Sequence, residues 1–137
     1  MELVDYYRYI AIFTFADNGI HITFPDLPGC VSFGKDEEEA MRMSKEGMML
    51  HLYAMEQDND EIPAASKLRN LAEQEELEKN ETFMLIEAFM PPFRERQSKK
   101  FVKKTLSIPY WLNKEAEERK VNFSQTLQNA LKRQLNI

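Results

Sequence analysis

The chain has 137 residues, 43% apolar and 30% charged, with 4 Gly, 6 Pro, a single Cys and a formal net charge of −5. That length holds one modest domain or two small ones, and the composition is that of an ordinary globular protein. A lone Cys forms neither an internal disulfide nor a multi-thiolate metal site, Met1 to Asp5 lacks a basic cluster ahead of an apolar core, and no run reaches the roughly 18 apolar residues of a membrane span. The expectation is a cytoplasmic protein without metal, cofactor or membrane partner.

Tyr6 to Phe15 (YYRYIAIFTF) is rich in aromatic and β-branched residues, and Asp17-Asn18-Gly19 supplies a turn before Ile20 to Phe24 resumes the pattern, which predicts a β-hairpin. Pro25-Asp26-Leu27-Pro28-Gly29 interrupts it, because two prolines withdraw amide donors and Gly29 is free to take a positive φ. Cys30 to Phe33 then reads as a third short strand. Asp36 is placed to cap a helix from about Glu37 to Met55, with Glu39 at the capping-box position and acids that complement the positive end of the helix dipole. Ala40, Met43, Gly47, Leu50 and Ala54, widened by Met41, Met48, Leu52 and Met55, predict the face that covers the sheet, with Gly47 at a close backbone approach. The stretch Lys67 to Glu76 is polar and has no assignable pattern, whereas Thr82 to Ala88 (TFMLIEA) reads as a final strand. The fold class expected is α+β, a small antiparallel sheet covered by a helix.

Pro91 to Ser98 (PPFRERQS) reads as a linker, which gives domains at 1–90 and 100–137 joined by 91–99. Charge divides in the same place. Residues 1–98 carry 9 Lys+Arg and 20 Asp+Glu, a net of −11, and residues 99–137 carry 9 and 3, a net of +6. The basic part is a candidate for phosphate, and any charged partner of the acidic part should be basic. Below about 40 residues a chain normally needs disulfides, metal or oligomerisation to hold a core, and with the first two unavailable the tail should be a homodimer.

In an extended segment, Lys103, Thr105 and Ser107 lie on one face and Leu106 and Ile108 on the other. Pro109 suits a helix start, and Asn122, with Gln125 at the capping-box position, starts a second helix whose apolar face is Phe123, Leu127, Ala130, Leu131 and Leu135. Two copies of such a strand make an antiparallel ribbon that fits the major groove of DNA. The step Ile108-Pro109 to Leu112, Ala116 with Glu117 and Glu118, then Asn122-Phe123-Ser124, Leu127, Ala130 and Leu131, resembles the ribbon-helix-helix dimer of the Arc and MetJ repressors. The resemblance implies base contacts from Lys103, Thr105 and Ser107 and a phosphate held at the helix start by Asn122, Phe123 and Ser124. Lys99, Lys100 and Lys104 add phosphate contacts. Lys104 departs from the family, which usually has an apolar residue at that inward strand position.

Phe24-Pro25-Asp26-Leu27-Pro28-Gly29-Cys30, then Gly34 and Glu39-Ala40, resembles the HicB antitoxin domain, and with a ribbon-helix-helix tail the likeness covers nearly the whole chain. It implies a degenerate, partial RNase H-like fold, binding and silencing of a HicA-like toxin that degrades mRNA, and repression of the antitoxin's own operon, with higher-order assembly once the toxin is bound. The charge of the body points to Asp26, Asp36, Glu37 and Glu38 as toxin contacts, with capping and solvation as the competing account. Nuclease chemistry is disfavoured. Metal-assisted cleavage needs carboxylates on central strands and Tyr6 to Phe15 has none, while His21 and His51 lack a sequence-local partner and Cys30 reads as packed. The alternative reading is a transcriptional repressor whose body senses a small molecule and has no toxin partner.

Overall fold

The structure, a computed structural model, describes residues 2–137, and the chain divides into two compact units, 1–99 and 100–137. In the first unit the aromatic and β-branched run forms strand β1 (Tyr6–Ala16), which turns through Asp17-Asn18 into β2 (Gly19–Thr23). The proline-bearing turn comes next, with Gly29 at φ 86°, then β3 (Val31–Gly34) and helix α1 (Glu37–Gln57). A short helix α2 (Leu68–Gln74) occupies part of the polar stretch that has no legible pattern, and β4 (Glu81–Phe89) completes an antiparallel sheet of order β3-β2-β1-β4.

Strand alternation sorts the side chains. Tyr9, Ala11 and Phe13 of β1, Ile20 and Ile22 of β2, and Ile86 and Ala88 of β4 form one buried core with Ala40, Met48, Met49 and Leu52 of α1. Ile10 and Ile12, on the opposite face of β1, are also buried, as is Leu71 of α2, and these three stand outside that core. The covering face of α1 differs from the expected stripe. Its buried residues are Ala40, Ser44, Met48, Met49, Leu52 and Glu56, whereas Met41 and Leu50 are exposed. Two polar residues at buried positions disguise the true phase: Ser44 turns its hydroxyl back to the Met41 carbonyl at 2.8 Å, and Glu56 is ion-paired. The tight approach between α1 and the sheet falls at Gly34, where a Cβ would overlap the Ala40 backbone. At Gly47 a Cβ would stand 3.5 Å from Ser32 Cβ, an ordinary contact.

The segment expected as a linker is corrected. Residues Met90–Gln97 form helix α3, with Met90 and Phe93 in the core. Pro91 and Pro92 sit at the first helical positions, where their missing amides would be unpaired in any case, so the double proline opens this helix rather than forbidding one. Arg94 of α3 reaches Glu56 of α1 through two bonds, Nε to Oε1 at 3.0 Å and Nη2 to Oε2 at 2.7 Å. The Tyr7 hydroxyl donates to Glu56 Oε2 at 2.7 Å, and Arg94 Nη2 also donates to the Val4 carbonyl at 2.6 Å. The Glu56 side chain is 1% exposed. Burial, then the bond to Glu56, pushes the Tyr7 phenol well above its ordinary value, and the bond to Glu56 raises the Arg94 guanidinium further. This bidentate pair fastens α3 and the amino-terminal segment to the end of α1.

In the second unit, residues 98–109 belong to no helix or strand on either side of the boundary, and α4 (Tyr110–Glu118) and α5 (Phe123–Leu135) complete the chain. The Gln125 amide donates to Asn122 Oδ1 at 3.0 Å, as the cap requires, but the Gln125 side chain bonds Asn129 at 2.9 Å instead of returning to the cap. Neither helix holds a buried residue. The strand expected over 103–108 is not present in the single chain, where these residues belong to no helix or strand; an antiparallel pair needs a second edge.

Removing one partner of a buried ion pair strands the other charge, so Arg94→Ala should lower unfolding free energy by about 3–5 kcal/mol in urea denaturation. The double variant Glu56→Met with Arg94→Met should recover part of the loss, and equal losses in single and double variants would show that the pair carries no coupling. Because the Tyr7 phenol is raised in the folded chain, the stability it contributes is fully present below pH 10.0 and is lost as pH rises above it. In Tyr7→Phe, that part of the alkaline decline should be absent from a pH series of melting temperatures.

Candidate functional site

On the body, the amino-terminal end of α1 and the β1–β2 turn make an open cleft of about 540 Å³ lined by Phe15, Asp17, Ile20, Lys35, Asp36, Glu37 and Glu38. Residues 35–38 are exposed. The cause is local. Asp36 caps α1 through Oδ1, which accepts the Glu39 amide at 2.8 Å, and Glu39 Oε1 accepts the Lys35 amide at 3.4 Å, one residue before the cap. The capped turn holds Glu37 and Glu38 at the positive end of the helix, where carboxylates are favoured, and leaves their charge facing water. Against four acids in the cleft stands one cation, Lys35.

Asp26 is separated from this group. It lies outside the cleft and is half-buried, and both carboxylate oxygens are engaged by Ser66, from its amide and its hydroxyl, at 2.7 Å each. The Tyr9 hydroxyl donates to the Pro63 carbonyl nearby in sequence. These bonds strap the loop after α1 to the proline turn through Ser66 and to β1 through Pro63, so the Asp26 carboxylate is committed within the fold. Sequence reasoning missed this because Ser66 is 40 residues away. It also missed the Tyr7, Glu56 and Arg94 set, for which one signal was available: Glu56 falls four residues after Leu52 and eight after Met48 on the buried row of α1.

His21 approaches Asn18 at 3.2 Å and sets its ring at a tilt to Phe33, and Cys30 is buried with its thiol pushed up to about 11 by desolvation. Among the described residues no group of three or more His, Cys, Asp or Glu is disposed to hold a metal ion. Nor is any helix among them long and apolar enough to cross a membrane.

In the second unit the segment before α4 and the two helices border an open groove of about 980 Å³ lined by Val102, Lys103, Lys104, Leu106, Ile108, Phe123 and Leu127 among others. Lys103, Thr105 and Ser107 are exposed, and so are Lys104, Leu106 and Ile108. Asn122, Phe123 and Ser124 stand exposed at the start of α5, with Ser124 Oγ accepting from Gln128 at 3.3 Å. Lys99 and Lys100, at the unit boundary, are exposed as well. The groove therefore mixes cations with unburied apolar side chains.

Comparison with known proteins places this arrangement. A family model for the HicB-like antitoxin of bacterial toxin–antitoxin systems matches residues 9–131. An uncharacterized 14.9 kDa protein from the rep–hol intergenic region of Haemophilus phage HP1 is 33% identical over 60 residues, 44% of this chain, and the match spans 45% of that relative's length. Among solved structures, a toxin–antitoxin complex from Streptococcus pneumoniae contains a chain of similar fold, with a TM-score of 0.56 at 22% identity over 94% of this chain and 99% of that one. The antitoxin HicB of Burkholderia pseudomallei gives a TM-score of 0.51 at 18% identity, covering 92% and 95%. A chain of the HicA3 and HicB3 toxin–antitoxin complex gives 0.53 at 17% identity, covering 60% and 98%. At these identities the likeness to the structures is one of fold, whereas the family model extends from β1 into α5. The chain belongs to the HicB-like antitoxin family of bacterial toxin–antitoxin systems.

Proposed function

We propose that this chain neutralises a small basic, HicA-like toxin that degrades mRNA and represses its own operon as a homodimer through residues 100–137. The observation that carries the reading is the opposite charge of the two parts, −11 over residues 1–98 and +6 over residues 99–137, within a chain of the antitoxin family. The body offers the acidic opening of α1, with Asp36, Glu37 and Glu38 as the toxin contacts, and a cationic ribonuclease is the complement of that surface. Asp26 serves the same contact indirectly, by holding the proline turn in place through Ser66. No catalytic step is assigned to the chain.

In the tail, residues 103–108 of two copies pair as an antiparallel ribbon, which covers Leu106 and Ile108 and turns Lys103, Thr105 and Ser107 toward base edges in the major groove. The start of α5, at Asn122, Phe123 and Ser124, holds a phosphate by its amides, and Lys99, Lys100 and Lys104 neutralise others. The exposure of this segment and the lack of any buried residue in α4 and α5 support the reading.

Co-expression with the product of an adjacent small basic open reading frame should rescue growth and yield a co-purifying complex; failure of both would remove the antitoxin reading. Charge reversal at Asp36 and Glu37 should slow association with that protein in stopped-flow mixing more than it speeds dissociation, and unchanged kinetics would remove these residues from the contact. With about 6 to 10 phosphate contacts per dimer, operator affinity should fall roughly a thousandfold or more between about 50 and 200 mM salt in gel shifts. Lys103→Ala and Thr105→Ala should relax sequence choice, Lys100→Ala should weaken all duplexes alike, and a salt-insensitive complex would contradict the ribbon.

A further inference from the structure

Helix α1 carries two rows of small and apolar residues, and the sheet buries one of them. Ala40, Ser44, Met48 and Leu52, spaced by four, form the buried row. Met43, Gly47, Leu50 and Ala54, spaced by four and three, form the second, which is the row that periodicity selects for the core. In the fold Leu50 is 57% exposed, Ala54 is exposed, and Met43 and Gly47 are half-buried. The cause is the end of the sheet. The base of this row abuts β3, where the Ser32 hydroxyl donates to the Met43 carbonyl at 3.0 Å and the Cys30 thiol approaches the Gly47 carbonyl at 3.8 Å, and β3 is an outer strand that pairs only with β2. Packing against that strand does not require Gly47, since a Cβ there would meet Ser32 Cβ at 3.5 Å, an ordinary contact. In the middle of a helix glycine costs stability relative to alanine. What it supplies here is a row with no side chain between Met43 and Leu50.

We infer, resting on the antitoxin reading proposed for the body, that this row is the apolar centre of the surface that receives the basic partner, which seats an apolar side chain over Gly47 between Met43 and Leu50. Charge identifies the occupant. Residues 36–61 carry nine Asp+Glu against two Lys+Arg. Asp36, Glu37 and Glu38 precede the row, Glu46 stands one turn before Leu50, and Asp58, Asp60 and Glu61 follow Ala54, all of them exposed. The first of these groups is the acidic opening of α1, so the row extends a contact already assigned to that partner. A second copy laid antiparallel on the row would set Glu37 and Glu38 against Asp58 and Glu61, and a nucleic acid would meet the same charges with its phosphates. A basic protein matches both ends at once. Such a surface divides its work: the apolar centre holds the complex together, and the charged rim speeds encounter.

The test is the binding kinetics of the full chain with the product of the adjacent small basic open reading frame. Leu50→Ala should raise the dissociation constant roughly tenfold or more, through faster dissociation at an unchanged association rate, and Leu50→Met should bind as the wild type does. Gly47→Gln, whose side chain has to lie across the row, should also weaken binding while melting at or above the wild-type temperature, which separates a blocked surface from a damaged fold. Leu85→Ala, at an apolar position of β4 that is 60% exposed, should leave binding unchanged. Wild-type affinity in both Leu50→Ala and Gly47→Gln overturns the inference and leaves the antitoxin reading standing, whereas the absence of any complex with the wild-type chain overturns both. Equal losses at positions 50 and 85 overturn it as well. If Leu50→Ala instead lowers the mass of the chain on its own in sedimentation, the row belongs to a second copy and the basic partner is the wrong occupant.

Discussion

Two helices and an irregular segment, all without a buried side chain, cannot form a stable fold alone, and the proposed role of residues 100–137 depends on that constraint. The apolar atoms of Leu106, Ile108, Leu112, Phe123, Leu131 and Leu135 remain in water until something covers them. Each such side chain, once buried, contributes about 1.5–3 kcal/mol, against an ordering cost of about 1–2 kcal/mol for each fixed backbone residue. One tail has nowhere to bury them. A second copy supplies both the apolar face and the missing strand edge, so in the proposed dimer a single pairing event completes the fold and builds the two-stranded surface that reads DNA.

The body solves its own problem independently. Its sheet and α1 enclose a contiguous core, and the buried Arg94 and Glu56 pair secures α3, so the chain is held against the body up to Gln97. That leaves the surface of the body available for partners. Its surplus of acids is carried on positions that local structure favours, such as the capped first turn of α1, where the helix dipole stabilises Glu37 and Glu38 whether or not a cation approaches. The proposed contact with a basic protein would draw on carboxylates the fold already holds in place. The same positions repel nucleic acid, which is consistent with the proposed assignment of DNA to the tail.

Elements set by neighbouring residues were legible in the sequence. The Asp17-Asn18-Gly19 hairpin, the positive φ at Gly29, the Asp36 cap of α1 and the Asn122 cap of α5 depend on residues within a few positions of each other. Features that depend on distant partners were not. The phase of α1 is hidden because Ser44 and Glu56 occupy core positions, and Glu56 is tolerated there only because Arg94 and Tyr7, 38 and 49 residues away, meet it. The double proline reads as a linker because its place in the first turn of α3 is defined by the helical residues after it and by the burial of Met90 and Phe93. Of the acids proposed to contact a partner, composition identifies the group, but only the fold separates Asp26, held by Ser66, from the exposed Asp36, Glu37 and Glu38. Residues 103–108, expected as a strand, belong to no helix or strand in the single chain, and the proposed ribbon would need a second chain for its ladder.

The proposed pairing of that segment is open to direct measurement. Amide hydrogen exchange across residues 101–109, monitored as the purified chain is diluted, reads the backbone bonds of the ribbon themselves. The account predicts slow exchange in alternate residues of this segment at high concentration, giving way to rapid exchange as the copies separate. Rapid exchange of all these amides at every concentration, with α4 and α5 equally unprotected, would contradict it.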